Sequence, residues 1–436
     1  MTCELAVVAD DLTGANDTGV QFSKYGLRTI VVVDLTKLNR LLRDADVIVA
    51  NTDSRHLRPA AAYEQVRVVM ERLQSGGISR IYKKIDSTLR GNIGAELDAV
   101  MDVTGIKAAL VMPAFPAYGR TTVDGYQLWN GLRLTETEVG ADPLCPVTEA
   151  HVPTLLSRQS HRAVHHVPLE IVHSGYEALA ESFRQALSEG REVIVVDAVS
   201  PDDLTLAARA ATGAGLSSLM CGSAGLAQEL PAALNLLRQS DRGKVGAGEH
   251  VLLVAGSLSR ITEDQLATLG ADPRIRLISV STQQILKSAS AREKEIRRAV
   301  AAVLGVVELG FDAAVVLDQH TEINEKTRVT ADSRKIVSAL AEVARAVLRK
   351  ARIRGLVVTG GDTAVAVCRA LGAAGVEVRD EVEPGIPFGQ LIGGTWDGVD
   401  IVTKAGAFGD VKALQSAVHY LRSTKHEQHK YRQTAG

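Results

Sequence analysis

The sequence is poor in aromatic residues. Phe, Trp and Tyr together make up 4% of the 436 residues, whereas 46% of the residues are hydrophobic. The cores must therefore be built mainly from Ala, Val, Leu and Ile, as is typical of α/β proteins with parallel strands. The length predicts two or three domains.

The sequence also lacks a strong excess of charge of either sign. Its formal net charge is -2, which argues against bulk electrostatic binding to nucleic acid or acidic membranes. No uncharged apolar run reaches the ~18 residues of a membrane span, and no signal peptide precedes the first strand-like run. We therefore expect a soluble, cytoplasmic protein that binds neither nucleic acid nor membranes.

Cysteine is scarce, and two common nucleotide-binding motifs are missing. The four cysteines are far apart and form no CxxC pair, which favours reduced thiols over a metal cluster or a disulfide framework. Gly243-Lys244 is followed by Val245, so the chain has no Walker A motif. No GxGxxG motif opens a helix, which argues against a Rossmann dehydrogenase.

The most informative stretch is residues 355–371, GLVVTGGDTAVAVCRAL. Its pattern predicts a buried strand, a tight turn at Gly360-Gly361-Asp362-Thr363, and a helix. Adjacent glycines allow close approach of a ligand, and the free N–H groups of a helix start favour phosphate. An ordinary turn that binds nothing is the alternative for this stretch taken alone.

Two further turns of this kind occur in the second half of the chain, Gly256-Ser257 and Lys404-Ala405-Gly406, each after a predicted strand. Turns that follow parallel strands meet at one edge of the sheet, and together they predict a nucleotide site.

The first half carries acidic and basic residues where predicted strands end. Asp10 and Asp11 end the first strand, and Arg55, Lys84, Asp86 and Arg90 lie in or after two later strands. Adjacent buried carboxylates need partners, such as ligand hydroxyls, a cation or Lys/Arg. A helix cap at Asp11, an Asx turn at Asp86 and a solvated charge cluster are the simpler alternatives.

A polar, glycine-rich segment at 239–249 is the best domain boundary. The sequence thus predicts domains at 1–238 and 250–422, a linker at 239–249 and a flexible tail at 423–436. We expect each domain to hold a mostly parallel sheet flanked by helices, with the active site in the interdomain cleft.

Eight motifs occur in order along nearly the whole chain: VVADDLTGANDTGVQ (7–21), NTDSR (51–55), YKKIDSTLRGNIGAEL (82–97), PAFPAYGRTTVDG (113–125), GSAGLA (222–227), AGSLS (255–259), VTGGDTAVAV (358–367) and KAGAFGD (404–410). Together they resemble the four-carbon acid sugar kinase family. The resemblance implies an N-terminal acid-sugar domain, a C-terminal nucleotide-binding domain, and ATP-dependent phosphorylation of the terminal hydroxyl of a four-carbon sugar acid.

The resemblance also implies site residues. ATP contacts fall on Ser257, on Gly360, Gly361, Asp362 and Thr363, and on Gly406. Among the acid-sugar residues (Asp10, Asp11, Arg55, Lys84, Asp86 and Arg90), Asp86 and Asp10 are candidates for the base that accepts the hydroxyl proton. Lys84 is a further catalytic candidate, and Arg55, Lys84 and Arg90 are candidates for holding the carboxylate. Phosphoryl transfer needs charge neutralisation, so Mg²⁺ is expected with ATP, and its protein ligands stay open.

The segment at 82–97 resembles the branch of the family that acts on D-threonate. D-erythronate and 3-oxo-tetronate stay open as substrates, as does a homodimer. A ribokinase-like enzyme and a nucleotide-gated sensor of sugar acids without turnover are the rival interpretations.

Overall fold

The computed structural model describes residues 3–142, 145–238, 248–257, 259–318, 331–406 and 408–423. The chain divides into two compact units, Met1–Asp241 and Arg242–Gly436, which we call the N-terminal and C-terminal domains. The division falls inside the segment 239–249. Residues 239–247 of the predicted linker and 424–436 of the predicted tail lie outside the described residues.

Strands and helices alternate along the N-terminal domain. In chain order they are β1 (Leu5–Ala9), α1 (Leu12–Ser23), β2 (Thr29–Val32), α2 (Leu38–Leu41), β3 (Val47–Asn51), α3 (Pro59–Ser75), β4 (Ile81–Lys84), α4 (Ile93–Thr104), β5 (Ala109–Met112), β6 (Arg120–Val123), β7 (Tyr126–Trp129), β8 (Leu132–Arg133), α5 (Val152–Gln159), β9 (Val164–Val167), α6 (Leu169–His173), α7 (Tyr176–Ser188), β10 (Val193–Val196), α8 (Pro201–Gly213), β11 (Leu219–Gly222) and α9 (Ala224–Ala233). Short 3-10 helices span Leu35–Lys37, Pro116–Tyr118, Leu134–Glu136 and Glu138–Ala141.

Within its described part, the N-terminal domain has an eight-stranded parallel sheet in the order β2-β3-β1-β4-β11-β5-β10-β9. β1 lies between β3 and β4, and Ala9 pairs with Asn51 on one side and Lys84 on the other. The chain builds β2 and β3 on one side of β1 and then crosses to β4 on the other. Ligands of open α/β sheets bind outside the carboxyl ends of the strands at such a reversal.

A separate small sheet follows β5. Its strands β6, β7 and β8 pair antiparallel, with Arg120 opposite Trp129 and Leu128 opposite Arg133. The sequence did not predict these strands, because they are short and mix polar with apolar residues instead of forming a continuous apolar run.

The C-terminal domain alternates in the same way and then ends in a mixed region. Its elements are β12 (His250–Ala255), α10 (Arg260–Gly270), β13 (Ile275–Val280), α11 (Thr282–Lys287), α12 (Ala289–Glu308), β14 (Asp312–Leu317), α13 (Ala331–Leu348), β15 (Ile353–Thr359), α14 (Gly361–Ala370), β16 (Gly375–Glu383), β17 (Ile386–Ile392), β18 (Asp400–Lys404) and α15 (Ala413–Arg422).

The sheet of the C-terminal domain is parallel in its β13-β14-β12-β15-β18 part and antiparallel where β17 and β16 continue it. Its core is mainly aliphatic, and Phe388 packs against Tyr420 with ring centroids 5.1 Å apart. The predicted α/β fold with two domains, each holding a mostly parallel sheet flanked by helices, is confirmed. The location of the active site between the domains stays a prediction.

Side-chain caps determine where several helices begin. Asp11 accepts a hydrogen bond from the Gly14 N–H at the start of α1, and Ser259 accepts one from Thr262 at the start of α10. Ser200 and Asp203 form a reciprocal capping box before α8. Each cap satisfies N–H groups that have no partner inside the helix. Across the described residues, no helix combines the length and apolarity that crossing a bilayer requires.

Candidate active site

Asp10, Asp11 and Arg55 form one cluster at the carboxyl end of β1. Arg55 Nε lies 2.8 Å from Asp10 Oδ2, and Arg55 Nη2 lies 2.9 Å from Asp10 Oδ1. Arg55 Nη1 also donates to Asp11 Oδ2 at 2.8 Å, while the other oxygen of Asp11 caps α1. The helix cap considered for Asp11 is therefore present, and it accounts for only one of its two oxygens.

The charges of this cluster stabilise one another. Burial alone would raise the pKa of Asp10, but the charge and hydrogen bonds of Arg55, with Lys83 and Lys84 nearby, hold it below its usual value. Burial opposes the charge of Arg55 in turn, and Asp10, Asp11 and Asp86 raise its pKa well above its usual value. Both groups are therefore charged at neutral pH.

The two adjacent lysines of β4 have different environments. Lys83 is fully buried, and its Nζ lies 2.7 Å from Glu96 Oε2 on α4. Lys84 Nζ donates to the Ile85 carbonyl at 2.9 Å. A Cβ added at Gly14 would lie only 3.0 Å from this nitrogen, so Lys84 packs directly against the start of α1. Strand alternation predicts opposite sides for such a pair, and here Lys83 binds the packed helix while Lys84 lies beside the start of α1.

Asp86 and Arg90 form the next part of the site, after β4. Asp86 Oδ1 accepts from the Thr88 N–H at 3.1 Å, and Oδ2 accepts from Thr88 Oγ1 at 2.6 Å and from Arg90 Nε at 2.5 Å. Arg90 Nη1 also donates to Asp142 Oδ2 at 3.3 Å. The Asx turn that was the simpler alternative for Asp86 is therefore present, and Asp86 also forms an ion pair with Arg90.

The pKa of Asp86 lies far below its usual value. Burial acts against this shift, but the charges of Arg90 and Arg55 and the hydrogen bonds from Thr88 and Arg90 outweigh burial. Asp86 is therefore a permanent carboxylate, able to orient a hydroxyl group but with a weak thermodynamic drive to keep its proton.

The six residues predicted for acid-sugar binding thus lie at one edge of one sheet. β3, β1 and β4 are neighbours, and Arg55, Asp10 and Asp86 follow these strands in turn. The roles of the six side chains stay predictions, and both arginines already bind protein carboxylates.

The three glycine turns of the C-terminal domain also lie side by side. β12, β15 and β18 are neighbours, and Ala255, Thr359 and Lys404 pair in register at their ends. Gly256 N donates to the Thr359 carbonyl at 3.1 Å, and Gly360 N donates to the Lys404 carbonyl at 2.9 Å. The expectation that these turns meet at one sheet edge is confirmed.

The turns are in close contact through their hydroxyl groups. Ser259 Oγ and Thr262 Oγ1 donate to the Gly406 carbonyl at 2.8 and 2.9 Å, and Thr262 Oγ1 also lies 3.0 Å from Ser257 Oγ. A Cβ at Gly406 would lie 2.1 Å from Ser257 Oγ. A side chain at position 406 would therefore displace the Ser257 hydroxyl that lies between the first and third turns.

Helix α14 presents an uncapped N-terminus at the middle turn. Gly360 precedes it with φ 103°, and within the described residues no side-chain hydrogen bond caps this helix start. Of the two adjacent glycines, Gly360 has the positive φ, and Gly361 is already the first helical residue. Asp362 is exposed and Thr363 is buried.

Lys404 is a candidate that the sequence analysis did not single out. Its buried Nζ donates to the carbonyls of Ala405, Gly406 and Phe408 at 2.7, 3.0 and 3.0 Å. Burial lowers the pKa of Lys404 to about 8. A lysine at the end of a short strand, directly before a glycine turn, was the available signal.

Comparison with known proteins identifies both halves. Residues 5–230 match the family model described as a sugar-binding N-terminal domain, and residues 252–414 match a nucleotide-binding C-terminal domain. A D-threonate kinase of Salmonella typhimurium is 36% identical, over 96% of this chain and 98% of the relative. The chain belongs to the four-carbon acid sugar kinase family.

Other family members are nearly as similar. A D-erythronate kinase of Heliobacterium modesticaldum is 35% identical over 96% of this chain and 97% of its own length, and a 3-oxo-tetronate kinase of Methylobacterium radiotolerans is 30% identical over 94% and 97%. A solved Salmonella typhimurium structure superposes with a TM-score of 0.82 at 23% identity, covering 95% of this chain and 99% of that one. The last match supports the fold alone.

The site of this kinase family member fits a nucleotide in its C-terminal domain. The free N–H groups of such a helix start favour phosphate, and the positive φ of Gly360 favours glycine, which has no Cβ to obstruct a ligand. In the described ranges no cluster of three His, Cys, Asp or Glu side chains could hold an ion. Mg²⁺ needs no such cluster, since nucleotide phosphates and water supply most of its ligands in kinases.

Proposed function

We propose that the protein is an ATP-dependent kinase that transfers a phosphoryl group to the terminal (4-) hydroxyl of D-threonate. The observation that supports it is the pair of complementary sites: a charged cluster at the carboxyl edge of the sugar-binding domain, and an uncapped helix start among three glycine turns of the nucleotide-binding domain. The names of the D-threonate kinase relatives support this substrate. D-Erythronate is the main alternative, since its kinase is 35% identical.

In the proposed reaction, ATP supplies the phosphoryl group and Mg²⁺ neutralises the phosphate charge. The N–H groups that follow Gly360 hold the phosphates, with Ser257, Gly361, Asp362, Thr363 and Gly406 around them. Asp86 or Asp10 orients the substrate hydroxyl and accepts its proton. Lys84 supplies a positive charge beside Asp10.

Arg55 and Arg90 were expected to bind the substrate's carboxylate. Each would have to share its guanidinium with a protein carboxylate, Asp10 for Arg55 and Asp86 for Arg90. Their proposed role is therefore first to hold the reactive carboxylates in place. Arg55 does so through a bidentate pair with Asp10, and Arg90 through a single charged hydrogen bond from Nε to Asp86.

The proposal is tested by ADP release with saturating MgATP. D-Threonate should raise ADP release above the rate without an acid, and NMR should place the phosphate on the 4-hydroxyl. A panel with D-erythronate and 3-oxo-tetronate decides the substrate. If all of these acids bind but none raises ADP release, the sensor interpretation replaces the kinase.

The cytoplasmic location and the homodimer are proposals of the same kind. Cell fractionation tests the first. Light scattering on the full chain tests the second, and a mass of one chain at micromolar concentration would contradict it.

A further inference from the structure

A third arginine, Arg120, lies beside the Asp86 turn and differs from Arg55 and Arg90. Its Nη1 donates to Ser87 Oγ at 2.9 Å, and Ser87 directly follows Asp86. Among the residues that the structure describes, Arg120 makes no ion pair with a carboxylate, and its buried Nε has no hydrogen-bond partner. The guanidinium therefore has a buried donor without a partner, and the one hydrogen bond described for it goes to a neutral hydroxyl.

The protein balances the charge of Arg120 only in part. Burial lowers the pKa of Arg120, and the charges of Asp86 and Asp17 offset this only in part. For Arg55 and Arg90, by contrast, ion pairs raise the pKa. A buried cation with unsatisfied donors is costly unless a ligand completes its environment.

The small sheet holds Arg120 in a defined position. Arg120 pairs across β6 and β7 with Trp129, and its guanidinium carbon lies 4.9 Å from the centroid of the Trp129 ring. Gln127 Nε2, on the same strand as Trp129, donates to the Ser87 carbonyl at 2.9 Å. The hairpin is thereby attached to the Asp86 turn, and a stacked guanidinium loses little further freedom when it binds an anion.

We propose that Arg120 binds the carboxylate of the four-carbon acid, with Ser87 Oγ beside it as a second polar contact. This inference rests on the proposed function and names the residue that recognises the carboxylate of the kinase's substrate. The unused edge of a guanidinium matches a carboxylate with two parallel hydrogen bonds. Arg55 and Arg90 then keep their protein carboxylates while the substrate binds.

The test measures binding of D-threonate and of its uncharged amide, D-threonamide, to the full chain by calorimetry without ATP. Arg120→Met should weaken D-threonate binding by about tenfold to a hundredfold, since a charged bidentate contact is lost. Binding of D-threonamide should change by less than about threefold, because the amide cannot form the charged contact. Arg120→Lys should recover part of the lost affinity, since lysine restores the positive charge but cannot form two parallel hydrogen bonds to the carboxylate.

Arg133 provides a matched control. It is an exposed arginine on β8 of the same sheet, and its guanidinium carbon lies 4.3 Å from the Tyr126 ring centroid. Arg133→Met removes the same side chain and the same type of stacking without touching the Asp86 turn. Binding of both ligands should stay at the wild-type level.

The outcomes separate this inference from the proposed function. Equal weakening of acid and amide by Arg120→Met, or weakening of neither, contradicts carboxylate recognition by Arg120. If Arg120→Met leaves binding of D-threonate and D-threonamide unchanged but lowers kcat in the MgATP assay, Arg120 acts on the transferred phosphoryl group and not on the carboxylate. If wild type binds another four-carbon acid better than D-threonate, that acid and its amide replace the pair. If wild type binds none of the acids, the proposed function fails first.

Discussion

The guanidinium of Arg55 holds the carboxylate of Asp10 side-on, with Nε 2.8 Å from Oδ2 and Nη2 2.9 Å from Oδ1. Both side chains are largely buried, at 11% and 5% relative exposure. In such a pair each charge is tolerated because the other is present.

Arg55→Met should therefore destabilise the protein, by about 3–5 kcal/mol if the pair behaves like other buried ion pairs. The pKa of Asp10 is lowered in the folded wild type, so its stabilising effect is present at neutral pH and lost only in acid below its normal value. Without Arg55, we expect burial to outweigh the charges of Lys83 and Lys84 and to raise the pKa of Asp10, so that folding carries the cost of a buried charge.

Urea unfolding at pH 7.5 and pH 5 checks this prediction. The deficit of Arg55→Met should be smaller at pH 5, where the unpaired Asp10 can take up a proton on folding. The double variant Asp10→Asn with Arg55→Met should be more stable at pH 7.5 than Arg55→Met alone. A deficit that is the same at both pH values would contradict a charged, unpaired Asp10.

The second prediction concerns Gly360, whose φ is 103° at the uncapped start of α14. Gly360→Ala should raise the KM for ATP by about tenfold or more, because a Cβ strains this backbone and disturbs the phosphate-binding N–H groups. Gly372 has φ 70° just after the same helix, with open space around it. Gly372→Ala introduces similar strain away from the turns and should leave the KM for ATP unchanged. Equal effects of the two variants would remove the turn from the nucleotide site.

The sequence could predict those strands and turns that depend on local residue patterns. β1 and residues 356–358 of β15 are continuous apolar runs that are followed by polar or glycine turns, and such runs indicate buried parallel strands. The meeting of the glycine turns followed from a general property of parallel sheets. The hairpin of β6 and β7 could not be predicted in this way, because its position depends on distant contacts such as Gln127 with Ser87.

The pairing of charges was equally out of reach of the sequence. The motif NTDSR identifies Arg55 as a site residue but does not say that Asp10 and Asp11 occupy it. Adjacent lysines in a strand must point apart, yet only the packing of α4 shows that Lys83 takes Glu96. Arg120 lies inside the motif at 113–125, but no local pattern marks an arginine that lacks a carboxylate partner.

The third prediction concerns the pH dependence of ATP binding. Burial lowers the pKa of Lys404 from 10.5 to about 8, so the side chain is mostly charged at pH 7 and mostly neutral at pH 9. The KM for ATP should rise by about threefold to tenfold over this range, as a positive charge next to the phosphate-binding turn is lost. Lys404→Met should have a high KM with no such rise.

Stability should change in the opposite direction, which gives an internal control. Between pH 8 and 10.5 the unfolded chain binds more protons at Lys404 than the folded protein, so this residue's contribution to stability becomes more favourable as the pH rises. A weaker ATP affinity at pH 9 therefore cannot be explained by a loss of stability caused by deprotonation of Lys404. A KM that stays flat from pH 7 to 9 in wild type would contradict a role for this charge.

The last prediction separates the two roles of Asp86. Its Oδ1 caps the turn by accepting from Thr88 N, and Asn can do the same, whereas its charge and Oδ2 acceptor are lost in Asp86→Asn. If Asp86 orients the hydroxyl and takes its proton, Asp86→Asn should lower kcat by roughly 10²–10⁴-fold with little change in ATP affinity. Thr88→Val removes the hydroxyl that donates to Oδ2 and leaves the carboxylate in place, so it should lower kcat far less than Asp86→Asn does.

Because the pKa of Asp86 lies far below its usual value, wild-type kcat should show no acid limb from this group between pH 5 and 8. A near-normal kcat in Asp86→Asn would leave Asp86 as a cap only and transfer the role of base to Asp10.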